Sequence, residues 1–324
     1  MSSRGLSLKF MEALKSGVLK PILCQVKKDR TLDLQIRDNY INVYYRGGSL
    51  IKVEEKDGGY SGEFNTAYMK AVLAKNNTPR FPYIIKRDTD ASTLVHELFP
   101  FMKTGMDQTF SDKETSEREF QQLVVRENNY SPVSNDTDYT ICDIEYTHTK
   151  YKYLRFDLLA THWPSKSPIR KKQASMKLVL VEMKYGDGAL RGAAGIKKHY
   201  EDMKKAIGHI GTLCTEMTTV TKQKAELGLI QKSKLDSNET GRIERIKVSA
   251  NEKPEWILLL ANHKPDSSIL RDELNWLKNI SEMENFPFDI KIAVSNFMGY
   301  GLYENHIFSL SEFLENFLSQ KSDK

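Results

Sequence analysis

Three short segments in the second half of the sequence are almost continuously apolar. They read KLVLVEMKY at 177–185, EWILLLA at 255–261 and DIKIAVS at 289–295. A strand with one face in water alternates apolar and polar residues, whereas a strand covered on both faces is apolar throughout. Helical patterns separate these segments, at about 190–232 and about 269–280. The sequence therefore predicts an α/β fold in which helices cover both faces of a sheet.

Two further strand patterns and one helix pattern come before these segments. The strands are YTICDIEY at 139–146 and YLRFDLLAT at 153–161. The helix, EREFQQLVVREN, places Phe120, Leu123 and Val124 on one face. From about residue 112 the predicted order is helix, three strands, long helix, strand, helix and strand.

Residues 1–110 show a different pattern. A helix is predicted at about 6–20, and the short alternating segments LDLQIR, YINVYY, SLIKVEE and YSGEF follow it. Turn sequences such as Arg46-Gly47-Gly48 separate them, so we predict a four-stranded antiparallel meander. Helices are predicted next, at about 66–75 and 90–104. We divide the sequence into an N-terminal module at 1–110, for recognition or partner contacts, and a second domain at 111–324.

Composition limits the class of protein only broadly. The 324 residues include 48 Lys and Arg against 43 Asp and Glu, and the net charge of +5 is compatible with a polyanionic partner. The three cysteines, Cys24, Cys142 and Cys214, form no C-x-x-C pair, which supports neither a disulfide framework nor a zinc cluster. No apolar run approaches the length of a membrane span. We expect a soluble, cytoplasmic protein without membrane association.

Charged residues interrupt two of the apolar strands. Asp157 lies within FDLLA, and Glu182 and Lys184 lie within LVLVEMKY. Burying such groups is costly unless other charges compensate them. Side chains alternate along a strand, so Glu182 and Lys184 share a face, which Asp157 of the preceding strand can also share. Two carboxylates, waters and a phosphate oxygen suit Mg²⁺, and Lys184 would position a water or stabilise developing charge. A buried ion-pair network without a metal remains the alternative interpretation.

In these features the sequence resembles the PD-(D/E)xK nucleases over roughly residues 112–296. Asp157 corresponds to the motif aspartate, and Glu182-Met183-Lys184 corresponds to the E-x-K motif. The resemblance implies a restriction-endonuclease-like core, a mixed sheet flanked by helices, and an Mg²⁺ or Mn²⁺ cofactor. It also implies a metal ligand at the backbone carbonyl of Met183 and an acidic ligand on the first core helix, for which Glu119 is the candidate.

One subclass of that superfamily fits less well. Many exonuclease-like relatives carry a glutamine and a tyrosine on the helix after E-x-K. Here the helix GIKKHYEDM offers Tyr200, with Ile196 where the glutamine would fall. The resemblance therefore extends to the superfamily and leaves membership of its RecB-like branch open.

Two groups of basic residues are candidates for nucleic-acid contacts. They are Arg170, Lys171 and Lys172, in the loop between the two strands that carry the site, and Lys197, Lys198 and His199, on the following helix. Such residues can grip phosphates, although solvated surface charge is an equally good interpretation. The expected function is a metal-dependent nuclease that hydrolyses phosphodiester bonds in restriction, phage defence or DNA processing, with DNA favoured over RNA and endo- or exonuclease action left open. A homodimer or larger complex, and a catalytically inactive scaffold that binds nucleic acid or protein, remain open.

Overall fold

A computed structural model of the chain describes residues 4–56, 58–69, 80–111, 116–165, 175–230, 240–264, 267–295 and 301–318. The chain divides into two compact units. The first comprises Met1–Gln122 and Thr219–Ile230, and the second comprises Leu123–Thr218 and Gln231–Lys324. The division into modules after residue 110 rests on the sequence pattern and stays a prediction.

The first unit begins with two helices where the sequence predicts one. They are α1, Leu8–Lys15, and α2, Lys20–Lys28. The hydroxyl of Ser7 accepts a hydrogen bond from the backbone N–H of Phe10 and caps α1. Pro21 accounts for the break, because proline is tolerated in the first turn of a helix but not in its interior.

An antiparallel sheet follows in the first unit. Its strands, in spatial as well as chain order, are β1 Leu32–Ile36, β2 Tyr40–Tyr45, β3 Gly48–Lys56, β4 Gly59–Glu63 and β5 Tyr83–Ile85. The predicted meander is confirmed as β1 to β4. Arg46 and Gly47 both have positive φ, 49° and 74°, which allows the tight turn between β2 and β3. Strand β5 escaped prediction because three residues are too few to show an alternating pattern.

Helical segments complete the first unit. They are a 3₁₀ turn at Thr66–Met69, helices α3 Asp88–Thr93 and α4 Phe99–Ser111, and helix α5 Ser116–Asn129, which ends in the second unit. A π-helical turn at Leu94–Leu98 joins α3 to α4, so the helix predicted at 90–104 is longer than expected. The helix predicted at 66–75 lies mostly outside the described residues.

The second unit is built on a mixed sheet. Its strands are β6 Tyr139–Thr147, β7 Arg155–His162, β8 Ser175–Tyr185, β9 Lys247–Ser249, β10 Glu255–Ala261, β11 Asp289–Ser295 and β12 Ile307–Ser309. The spatial order is β12-β11-β10-β8-β7-β6, and β9 pairs with the beginning of β8. Strand β7 is antiparallel to both of its neighbours, β6 and β8, whereas β8, β10 and β11 are parallel.

Helices flank this sheet. They are α6 Ile196–Ala206, α7 Ile210–Glu226, which ends in the first unit, α8 Thr240–Arg245, α9 Ser268–Met283 and α10 Leu310–Phe313. Tyr200 of α6 packs against Trp256 of β10 and Trp276 of α9, with ring centroids 6.4 and 5.7 Å away. Every residue of β10 is buried. The predicted α/β class, with a mixed sheet between helices, is confirmed. No described helix combines the length and the hydropathy needed to cross a bilayer.

A buried carboxylate joins four strands at one end of the sheet. Glu255, the first residue of β10, accepts hydrogen bonds from the Tyr139 hydroxyl at 2.9 Å and the Lys291 ammonium at 2.9 Å. Nδ1 of His162 lies 3.1 Å from the same carboxylate. Burial alone would raise the pKa of Glu255, but His162 and Lys291 lower that pKa to about 2. This compensated network is a structural feature.

We expect Glu255→Gln to reduce the free energy of unfolding at neutral pH by about 3 kcal/mol, because it leaves Lys291 without its anionic partner. The pKa of Glu255 lies below its ordinary value of 4.5, so the carboxylate contributes its full stability above that pH. The contribution is lost as the pH falls from 4.5 towards 2. Urea denaturation of both proteins across this range would measure the difference.

Glu304→Gln is the matched control. Its carboxylate is 50% exposed and lies 3.9 Å from Nε2 of His162, so removing its charge should change stability by less than about 1 kcal/mol. Equal losses in the two variants would contradict a special role for the buried network.

Candidate functional site

Asp157 and Glu182 face each other across neighbouring strands. Strand β7 pairs with β8 so that Leu158 lies opposite Val181, and extending this register by one pair places Asp157 opposite Glu182. The Asp157 carboxylate accepts a hydrogen bond from the backbone N–H of Met183 at 2.8 Å, which fixes its orientation. The structure therefore brings together the two carboxylates that the sequence predicts as a pair.

Glu145 adds a third carboxylate to this row. In the pairing of β6 with β7, Ile144 lies opposite Leu158, so the next position along places Glu145 opposite Asp157. The backbone of Glu145 has a φ of 51°, which is unusual for a residue with a side chain and is often found at functional sites. Three acidic residues thus lie side by side on β6, β7 and β8.

The row of carboxylates changes the protonation of its middle member. Burial and the neighbouring charge of Glu182 raise the pKa of Asp157 to about 8, although Lys184 and the N–H of Met183 act in the opposite direction. Glu145 also contributes to the increase. The positive charge beside the carboxylates is therefore too small to keep all of them ionised at neutral pH.

Lys184 lies two residues beyond Glu182 on the same face of β8 and is 3% exposed. Its ammonium donates a hydrogen bond to the carbonyl of Ala194 at 2.9 Å. Ala194 ends a 3₁₀ turn in the glycine-rich loop between β8 and α6. The charge of Lys184 lowers the pKa of both Asp157 and His199. Lys184 thus joins the loop to the site and supplies a buried positive charge.

His199 approaches the site from helix α6. Its Nδ1 lies 3.1 Å from a carboxylate oxygen of Glu182, and its side chain is 19% exposed. Burial and the charge of Lys184 lower the pKa of His199 to about 4. The imidazole is therefore neutral near pH 7, and its immediate neighbour is a carboxylate. The prediction of a phosphate contact at His199 is not tested by this geometry.

A cavity of about 410 Å³ opens over the carboxylates. Its lining includes all three acids, Ala194 and His199, together with residues of the β6–β7 hairpin and of α6. Three basic residues, Arg155, Lys198 and Lys205, also line it. Both of these lysines pair with Asp202, Lys205 at 2.9 Å. The cavity therefore has carboxylates on its floor and basic side chains on its walls.

The other predicted site residues lie elsewhere or outside the described residues. Glu119 belongs to the first unit, where its carboxylate accepts a hydrogen bond from Arg46 at 2.9 Å, and it does not line the cavity. Lys197 lies 3.9 Å from Glu273 and over the ring of Trp276, also away from the cavity lining. The basic loop residues Arg170, Lys171 and Lys172 fall within 166–174, outside the described part.

Glu145 is not among the site residues predicted from the sequence. An acidic residue in the strand YTICDIEY was a usable signal, yet its neighbours also fit a half-exposed strand. The position of Glu145 opposite Asp157 depends on a register shift between Ile141 and Asp143, which no sequence pattern shows.

Oxygen donors that suit a hard divalent cation are present. Within the described ranges, no group of three or more His, Cys, Asp or Glu side chains has a geometry that could hold a metal ion. Asp157 and Glu182 nevertheless face each other at the cavity, where the pKa of Asp157 is raised to about 8. Two carboxylates and several waters fit Mg²⁺, which keeps much of its hydration. The carbonyl of Met183 as a ligand stays a prediction.

Comparisons of this chain with protein-family models, with curated proteins and with solved structures found no match.

We expect Asp157→Asn to make the protein more stable than the wild type at about pH 8.5, by up to about 5 kcal/mol. The pKa of Asp157 rises from 3.8 to about 8 on folding, so its ionised form destabilises the fold increasingly as the pH rises through this interval. The difference should vanish towards about pH 4. Urea denaturation with EDTA present would measure it without any contribution from metals.

Asp202→Asn is the control, because Lys198 and Lys205 lower the pKa of Asp202. The Asp202→Asn substitution should leave the free energy of unfolding unchanged, or lower it, at the same alkaline pH. A stabilising effect of Asp202→Asn equal to that of Asp157→Asn would show that net charge, and not the row of carboxylates, is responsible.

Proposed function

We propose that the second unit is a metal-dependent nuclease that hydrolyses phosphodiester bonds. The single observation that carries this proposal is the facing pair of Asp157 and Glu182 at a solvent-accessible cavity. The antiparallel strands β6, β7 and β8, followed through α6 by the parallel strand β10, accord with a restriction-endonuclease-like core. Membership of the PD-(D/E)xK superfamily is part of the proposal.

Mg²⁺ or Mn²⁺ is the cofactor that suits these ligands. Asp157 and Glu182 would hold it, with the carbonyl of Met183 as a further ligand. We assign the additional acidic role to Glu145 in place of Glu119, because Glu145 lies opposite Asp157 and lines the cavity. When bound, such an ion polarises the scissile phosphate and lowers the pKa of a coordinated water.

The chain's own residues orient the reacting groups. The N–H of Met183 holds the carboxylate of Asp157, and His199 lies against the carboxylate of Glu182 and restricts its movement. Lys184, fixed by the carbonyl of Ala194, supplies a positive charge for the negative charge that develops on the phosphate, or positions the attacking water. A preorganised charge of this kind needs no rearrangement during the reaction.

A nucleic-acid partner follows from this chemistry, and DNA remains favoured over RNA. Arg155 on the cavity wall is suited to a phosphate oxygen. We assign recognition or partner contacts to the N-terminal module. Restriction, phage defence or DNA processing in the cytoplasm is the proposed context, and a homodimer would suit cleavage of both strands of a duplex.

Cleavage assays test the proposal directly. Supercoiled plasmid, linear duplex, single-stranded DNA and RNA would each be incubated with Mg²⁺ or Mn²⁺. We expect Asp157→Ala and Lys184→Ala to lower the cleavage rate by at least about 100-fold, since Asp157 would hold the cation and Lys184 supplies the buried positive charge beside the carboxylates. Lys177→Ala is the matched control, because Lys177 lies on β8 seven positions before Lys184 and therefore on the other face.

The possible outcomes separate the two functions. Equal cleavage by the wild type and by both site variants would remove this site from consideration. Absence of cleavage on every substrate would favour a catalytically inactive scaffold on the same fold.

Metal titration tests the choice between Glu145 and Glu119. We expect Asp157→Asn and Glu182→Gln to abolish Mn²⁺ binding in calorimetry, and Glu145→Gln to weaken it by about 10-fold, as loss of a supporting group does. Glu119→Gln should leave binding unchanged, because its carboxylate pairs with Arg46 in the first unit. A loss of affinity in Glu119→Gln but not in Glu145→Gln would reverse the assignment.

A further inference from the structure

Three aromatic rings form a cluster at the edge of the cavity. Tyr151 and Tyr153 lie in the hairpin loop between β6 and β7, and His209 lies in the 3₁₀ turn that follows α6. The rings of Tyr151 and His209 have centroids 4.3 Å apart, and the Tyr153 hydroxyl lies 2.8 Å from Nε2 of His209. Tyr153 also lines the cavity and is 46% exposed. An aromatic surface is therefore continuous with the candidate active site.

Hydrogen bonds of a buried histidine hold the β6–β7 hairpin loop that carries Tyr151 and Tyr153. His148 is buried, and its Nδ1 accepts hydrogen bonds from the N–H groups of Lys150 and Tyr151, both at 3.0 Å. Its Nε2 lies 3.6 Å from the buried carboxylate of Glu216. Stacking of a ligand on these rings would thus require little additional ordering of the protein.

Positive charge lies next to the rings. Arg155, two residues after Tyr153, is exposed and lines the cavity, and its guanidinium has no ion-pair partner within the described segments. Lys150 lies over the ring of Tyr151, 5.1 Å from its centroid. A ring face beside a free guanidinium suits a ligand that carries both a planar base and a phosphate.

We propose that Tyr151, Tyr153 and His209 form a stacking platform for an unpaired nucleobase of the strand whose phosphate enters the cavity. This inference rests on the proposed nuclease function and names its substrate class, single-stranded nucleic acid or a duplex with an unpaired segment. A base within a duplex stacks on its own neighbours, so its face is not available to Tyr153.

Binding measured without cleavage tests the platform. Fluorescence anisotropy of labelled single strands of about 12 nucleotides, in EDTA, would compare the wild type with Tyr153→Ala and Tyr153→Phe. We expect Tyr153→Ala to weaken binding by on the order of 10-fold, the loss of one stacked base. Tyr153→Phe, which keeps the ring, should remain within about 2-fold of the wild type. DNA and RNA strands would be measured in parallel to identify the preferred sugar.

Two ligand controls make the test specific for a base. A strand of abasic sites carries the same phosphates without bases, and Tyr153→Ala should bind it as the wild type does. A blunt duplex should likewise show no difference between the two proteins. Equal weakening towards the normal and abasic strands, no weakening by Tyr153→Ala, or no binding of any strand by the wild type would each overturn the platform.

The same experiment distinguishes failure of the platform from failure of the nuclease proposal. Tyr153-dependent binding of single strands, without cleavage when Mg²⁺ or Mn²⁺ is added, would support the platform and refute the nuclease. Cleavage that depends on Asp157, combined with binding that is indifferent to Tyr153, would refute the platform and support the nuclease.

Discussion

The concentration of negative charge on three adjoining strands is the constraint on which the site depends. Glu145, Asp157 and Glu182 lie in one row across β6, β7 and β8, where burial removes much of the screening that water would provide. Neighbouring groups partly compensate this negative charge. The N–H of Met183 donates a hydrogen bond to the carboxylate of Asp157, and Lys184 supplies a buried positive charge. Compensation is nevertheless incomplete, because the pKa of Asp157 is still raised to about 8. A carboxylate with a raised pKa takes up a proton at neutral pH, and under the proposed function a divalent cation entering through the cavity would replace that proton.

The other end of the same sheet shows what complete compensation looks like. Glu255 is as deeply buried as Glu182, yet Tyr139, His162 and Lys291 surround it and lower its pKa to about 2. The two carboxylate sites therefore share a scaffold and differ in the sign of their pKa shifts. Glu255 shows that this sheet accommodates an ionised buried acid when partners are supplied, and Asp157 has fewer such partners among the described residues. This contrast favours a binding role over the interpretation of a closed structural ion-pair network.

Patterns with a clear physical period could be predicted, and features that depend on long-range pairing could not. The apolar runs of β8, β10 and β11 revealed a sheet covered on both faces, and charges within such runs revealed Asp157, Glu182 and Lys184. Glu145 is absent from the predicted site because its neighbours fit a half-exposed strand, and no sequence pattern shows the register shift that aligns it with Asp157. Glu119 fitted the start of a helix, but its partner Arg46 is 73 positions away in the sequence. The split of the long helix into α6 and α7 likewise follows from a local 3₁₀ turn, which hydrophobic periodicity does not resolve.

Charge alone is a weak basis for substrate binding at this cavity. Lys198 and Lys205 both pair with Asp202, so the described wall retains Arg155 as its main uncommitted cation. Phosphate attraction scales with the number of phosphates neutralised, and one or two such contacts give modest affinity that falls further with salt. A substrate must therefore gain affinity from another source. Stacking on the proposed aromatic platform would add affinity that salt does not screen. Tyr153 has an exposed ring and also lines the acidic cavity.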